Sequence, residues 1–110
     1  IMAIFYRAGD PENNIESEMK EVKPKNGKYF VYEELQEFVG KGENKMIEIV
    51  PLPSGKNIIV NEEGKLIGLP INEEATKVWR AEYPIAEYPN NNDELIVGNA
   101  LIVEENELEE

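Results

Sequence analysis

The chain has 110 residues, of which 41% are hydrophobic and 31% charged, and its 23 acidic against 11 basic side chains give a formal net charge of −12. Such a length makes one domain with a single modest core, and such a charge disfavours both nucleic acid, whose phosphates are bound largely through Lys and Arg, and anionic membrane surfaces. The absence of cysteine and histidine excludes disulfides, zinc-thiolate and histidine metal sites, and the Ser-His and Cys-His nucleophile systems.

In chain order, Met2 to Tyr6 reads as a first strand, with Ile4 and Tyr6 on one face and Phe5 on the other, ended by the turn signal Gly9-Asp10-Pro11. Met19 to Lys23 alternates apolar and charged residues before Pro24, which suits a half-exposed strand at a sheet edge. Tyr32, Leu35, Phe38 and Val39 recur at helical spacing. They predict a short helix with Glu33, Glu34 and Glu37 facing water, the first two in its first turn, and Gly40 as the residue that closes it.

The segment from Lys45 to Ile71 carries two β-branched runs, Met46 to Val50 and Asn57 to Val60, separated by Pro51-Leu52-Pro53-Ser54-Gly55. That is the grammar of an antiparallel pair, and after the turn at Asn61 to Gly64 a third strand is expected over Lys65-Leu66-Ile67. Asn72 then offers an N-cap to a helix over Glu73 to Arg80, with Ala75, Val78 and Trp79 as its apolar stripe and its charges ordered along the helix dipole. Ala81 to Asp93, with Tyr83-Pro84 and Tyr88-Pro89, is irregular. Glu94 to Val103 is the most apolar strand and is expected in the sheet interior, with Gly98 marking a bulge or a close backbone approach.

These elements predict an α+β fold: a small, mostly antiparallel sheet of five or six strands with two short helices packed on it, over residues 1–103. Residues 104–110 form an acidic tail that repulsion is expected to keep solvated or frayed. No apolar run approaches the ~20 residues that cross a bilayer, and no basic segment of a signal peptide stands before the first apolar run, so a cytoplasmic setting is the expectation.

Several stretches together resemble a known family. Ile47-Glu48-Ile49-Val50-Pro51-Leu52, Asn61-Glu62-Glu63-Gly64-Lys65-Leu66, Gly68-Leu69-Pro70 with Asn72, and Asp93 with Leu95 to Val103 are similar to a family of small domains carried by phages and conjugative elements, one without an assigned function. Glu34-Leu35-Gln36 with Val39-Gly40 fits the same pattern. The resemblance spans about Tyr32 to Val103. It implies a mobile-element origin and an intracellular setting, and it transfers no catalytic or binding residue.

Candidate chemistry in the residues themselves is thin. Pro53-Ser54-Gly55-Lys56 lacks the leading glycine and the following Ser or Thr of a phosphate-binding loop, and Asn90 to Glu94 lacks the spacing of a calcium loop. The pairs Glu62-Glu63 and Glu73-Glu74 read as solvated turn and dipole partners, not as a catalytic dyad. The tyrosines lack the interleaved basic residues of a base-stacking platform. No catalytic residue, metal site or cofactor is therefore expected.

Two functional readings follow. The first is a non-enzymatic protein-interaction or regulatory module whose negative field steers a basic partner, with Trp79, Tyr83, Tyr88 and Asp93 as the candidate surface. A sharper form has the acids imitate DNA phosphates to occupy a DNA-binding host protein, against the simpler view that charge only keeps the chain soluble. The second is a small-molecule-binding or hydrolytic domain with its site between Trp79 and the 81–93 segment. Pairing of exposed strand edges into a homodimer is a further expectation.

Overall fold

The run that closes the apolar part of the sequence forms the middle of the molecule. The computed structural model describes residues 3–84 and 95–109. Within them lie β1 (Ala3–Arg7), β2 (Glu18–Val22), α1 (Tyr32–Val39), β3 (Ile47–Pro51), β4 (Asn57–Asn61), α2 (Glu73–Glu82) and β5 (Ala100–Val103). The strands make one sheet in the order β2-β1-β5-β4-β3, and every pairing is antiparallel. The architecture is α+β, as the sequence predicts.

Alternation along the strands divides the core between two faces. Ala3, Phe5, Ile59, Leu101 and Val103 point to the side where α1 packs Leu35 and Val39. Tyr6, Ile58, Val60, Ala100 and Ile102 point to the side where α2 packs Ala75 and Trp79. Because both faces are covered, β4 and β5 are buried at every position, which explains their unbroken apolar runs. Helices of 8 and 10 residues do not persist alone in water. Burying each Leu or Val stabilises them by about 1.5–3 kcal/mol. On the α1 side, Phe38 tilts against Phe5 at 5.3 Å and meets Phe30 edge-on at 6.0 Å.

Five expectations need correction. Residues 65–67 are not a strand: turns run from Glu62 to Gly68, held by Ile67 N–H to Glu63 O and Leu69 N–H to Gly64 O, and Leu66 is 86% exposed. The last strand begins only at Ala100, because Gly98 adopts φ +73° with its N–H on Pro70 O; a Cβ there would lie 2.6 Å from Leu69 Cδ1, so the position also fits the expected close approach. Glu34 is buried and does not face water, because its carboxylate accepts from Lys25 N–H at 3.0 Å and Val31 N–H at 3.2 Å, whereas Gly40 closes α1 as expected, with extended dihedrals and no room for a Cβ, which would meet Gln36 O at 2.5 Å. Tyr32 belongs to α1 yet stays exposed, because it opens the helix ahead of the buried turn.

The acidic tail is the fifth. Residues 105–107 form a 3-10 turn, Glu107 is buried, and Leu108 packs against the α1-side core. Phe30 N–H donates to Glu107 O at 2.7 Å. Summed repulsion misled because individual carboxylates find donors: Glu107 accepts from Glu104 N–H at 2.9 Å, Glu105 from Asn57 Nδ2 at 2.8 Å, and Glu104 faces Lys56 at 4.0 Å.

Candidate functional site

The α2 side of the sheet is assembled around Asn72. Its Oδ1 caps α2 by accepting from Ala75 N–H at 3.1 Å, and its Nδ2 donates to Tyr6 O and Gly98 O, both at 2.9 Å. One buried side chain thus fixes where the helix begins relative to β1 and to the approach of β5. At the far end of α2, Tyr83 stacks at 5.0 Å on Trp79 and donates its hydroxyl to Pro51 O at 3.0 Å. Glu82 accepts from Ser54 N–H and Ser54 Oγ at 2.9 and 3.0 Å. The last helical turn is thereby clamped to the β3–β4 hairpin.

Trp79 and Tyr83 are therefore neighbours, as the candidate surface requires. Trp79 is 9% exposed and chiefly a core anchor; Tyr88 and Asp93 lie outside the described residues. Trp79 nevertheless reaches a cavity of about 270 Å³ between α2 and the outer strands, lined by Val50, Val60, Leu66 and Leu95 and rimmed by Glu48, Glu62 and Lys65. This volume falls just below the ~300–1,000 Å³ of small-molecule sites. Among the described residues, no three or more carboxylates gather to hold a metal ion.

Tyr6, on the same side, has its phenol pushed above the ordinary 10.0, first by burial and then by the charge of Glu74. Folding therefore favours the neutral phenol. The stability this contributes is full below pH 10 and is lost as pH climbs through the raised value. Urea midpoints on either side of pH 10 are expected to fall less steeply in Tyr6→Phe than in the parent chain; equal slopes would remove Tyr6 from the explanation.

The outer margin of β3 completes the region. Leu52 N–H donates to Lys56 O at 2.8 Å and Glu62 N–H to Met46 O at 2.9 Å, so the ladder between these bonds directs the backbone groups of Glu48 and Val50 toward β4. Ile47, Ile49 and Pro51 direct theirs away from it. Sequence reading missed this margin and the acidic rim. A signal was present: proline inside a strand is tolerated where its missing N–H faces outward, which fixes the parity of Ile47 and Ile49.

Among the described residues, no helix is long and apolar enough to cross a membrane. No curated protein and no solved structure matches the chain. Residues 10–110 match the family described as Domain of unknown function (DUF3846), and with nearly its whole length covered the chain belongs to that family.

Proposed function

We propose that the domain is a non-enzymatic, intracellular protein-interaction module of the phage or mobile-element type, which engages a basic partner such as a DNA-binding host protein. One observation carries this reading: exposed apolar residues, Ile49 on the outer strand β3 and Met46 just before it, stand beside recesses rimmed by Glu48, Glu62 and Glu105. Apolar contact supplies affinity there, and the −12 charge supplies steering. The acids do not line up as one face. Glu33 and Glu37 ride on α1 and Glu73 and Glu74 on α2, on opposite sides of the sheet, which favours a diffuse steering field over imitation of a duplex.

Affinity capture from host extract at low and high salt tests the reading. The expected result is one reproducible basic protein retained at low salt and released at high salt. Retention of nothing above a neutral control, together with a shift of Trp79 fluorescence by a metabolite, would select the small-molecule reading of the 270 Å³ cavity instead.

A further inference from the structure

We propose that the outward margin of β3 is a docking strand for an extended, basic segment of the partner, with one long cationic side chain of that segment seated in the Trp79 cavity between Glu48 and Glu62. This rests on the reading of the domain as a module for a basic partner and names the surface and the chemistry.

The margin is a short window with defined ends. On one side, Lys45 N–H donates to Glu43 O at 3.1 Å and Lys45 O accepts from Gln36 Nε2 at 2.9 Å. On the other, Pro51 has no N–H and its carbonyl accepts from the Tyr83 hydroxyl at 3.0 Å. Between them, Ile47 and Ile49 offer outward N–H and C=O groups, and among the described residues no strand lies beyond β3. An incoming strand that takes these groups gains main-chain bonds, and its alternate side chains fall on the two faces of the sheet.

Charge selects what that strand carries. On the α2 face its side chains meet Glu48 and Glu62, and among the described residues Lys65 is the one cation lining the cavity. On the α1 face they meet the recess of Tyr29, Ile49, Leu108, Glu105 and Glu109, which no lysine or arginine lines. Carboxylates therefore flank the window on both faces. The cavity floor of Val50, Val60 and Trp79 is apolar, which suits the aliphatic stem of a lysine or arginine whose head reaches the acidic rim. The opposite edge of the sheet, β2, exposes Glu18, Lys20 and Glu21 and selects no sign.

A second copy of the chain fits the window poorly. Antiparallel self-pairing centred on Glu48 sets that carboxylate against its own copy, and like charges directly opposite are destabilising. Centring on Ile49 places Ile47 against Pro51, which cannot donate. Centring on Ile47 needs Lys45, whose backbone groups are already engaged.

The test is an amide NMR titration of the full chain with an acetylated peptide of alternating valine and lysine, and with its valine–glutamate counterpart. In the free protein, the Ile47 and Ile49 amides are expected to exchange rapidly and those of Glu48 and Val50 slowly. The lysine peptide is expected to shift and protect Ile47 and Ile49 in a salt-sensitive way, and the glutamate peptide to leave them unmoved. Glu48→Lys with Glu62→Lys is expected to weaken binding about tenfold or more. Ile49→Pro removes an outward N–H along with the exposed isoleucine side chain and leaves the bonds to β4 in place; it is expected to abolish binding while β4 signals persist, and should it fail to fold, the exposed glutamate pair still decides. Lysine-peptide shifts confined to α1 around Glu33 and Glu37 would overturn the docking strand and leave the basic-partner reading standing. Equal binding of both peptides, or no binding of either, would overturn the docking strand as well. Protection of Ile49 that grows with protein concentration alone would assign the window to a second copy.

Discussion

Asn72→Ala is expected to destabilise the domain by about 3 kcal/mol, the largest effect of any single polar substitution in the fold. Loss of an N-cap costs roughly 1 kcal/mol, and the remainder comes from Tyr6 O and Gly98 O, which lose a buried donor. For a chain of this size the melting temperature drops on the order of 10–15 °C. Asn72→Asp separates the two contributions. Aspartate keeps the acceptor that caps α2 but turns a carboxylate toward two carbonyl oxygens, so it is expected to be at least as damaging as alanine in urea and thermal unfolding. If aspartate instead restores parent stability, capping alone explains the residue, and its role in joining α2 to β1 and β5 is wrong.

Ending the chain at Val103 is expected to cost about 2–4 kcal/mol, whereas ending it at Leu108 leaves stability within about 0.5 kcal/mol of the parent. The shorter chain loses the packing of Leu108, leaves the Phe30 N–H without Glu107 O, and uncovers Phe30, which is otherwise fully buried. It also frees Asn57, buried in β4, from Glu105. Urea unfolding of the two truncations reads the difference. A frayed tail, as the run of glutamates suggests, predicts no difference between them.

The tail illustrates where sequence reasoning stops. Periodicity located α1 to the residue and α2 within two, because each buries one stripe of a regular helix, and alternation placed Phe5 opposite Ile4 and Tyr6. The N-cap role of Asn72 was legible, since its side chain acts locally; its two bonds to Tyr6 and Gly98 were not, since they join residues 66 and 26 positions away. Lys65-Leu66-Ile67 has the composition of a strand but is taken up in turns closed on Glu63 and Gly64, and composition cannot say which backbone bonds a segment will make. The same holds for the site. Trp79 stood out in the apolar stripe of a helix and Tyr83 in a Tyr-Pro pair of the segment after it, whereas Glu48 and Glu62 are rim partners only because the β3–β4 register brings them to one recess.

The place of β5 bears on how the protein is made. Among the described residues, its contacts with β1, such as Ile4 opposite Ile102, and with β4, such as Ile58 opposite Ile102, are the only ladders that join the two hairpins. During synthesis the β1–β2 and β3–β4 pairs emerge first, each showing the ribosome-side chaperones a bare apolar flank, and neither has a partner until residue 103 clears the exit tunnel. Closing the loop from Ile4 to Ile102 is slow relative to zipping a hairpin. Assembly of the sheet is therefore expected to wait for β5, and a chain that stops before residue 100 is expected to be left as two separate, sticky halves.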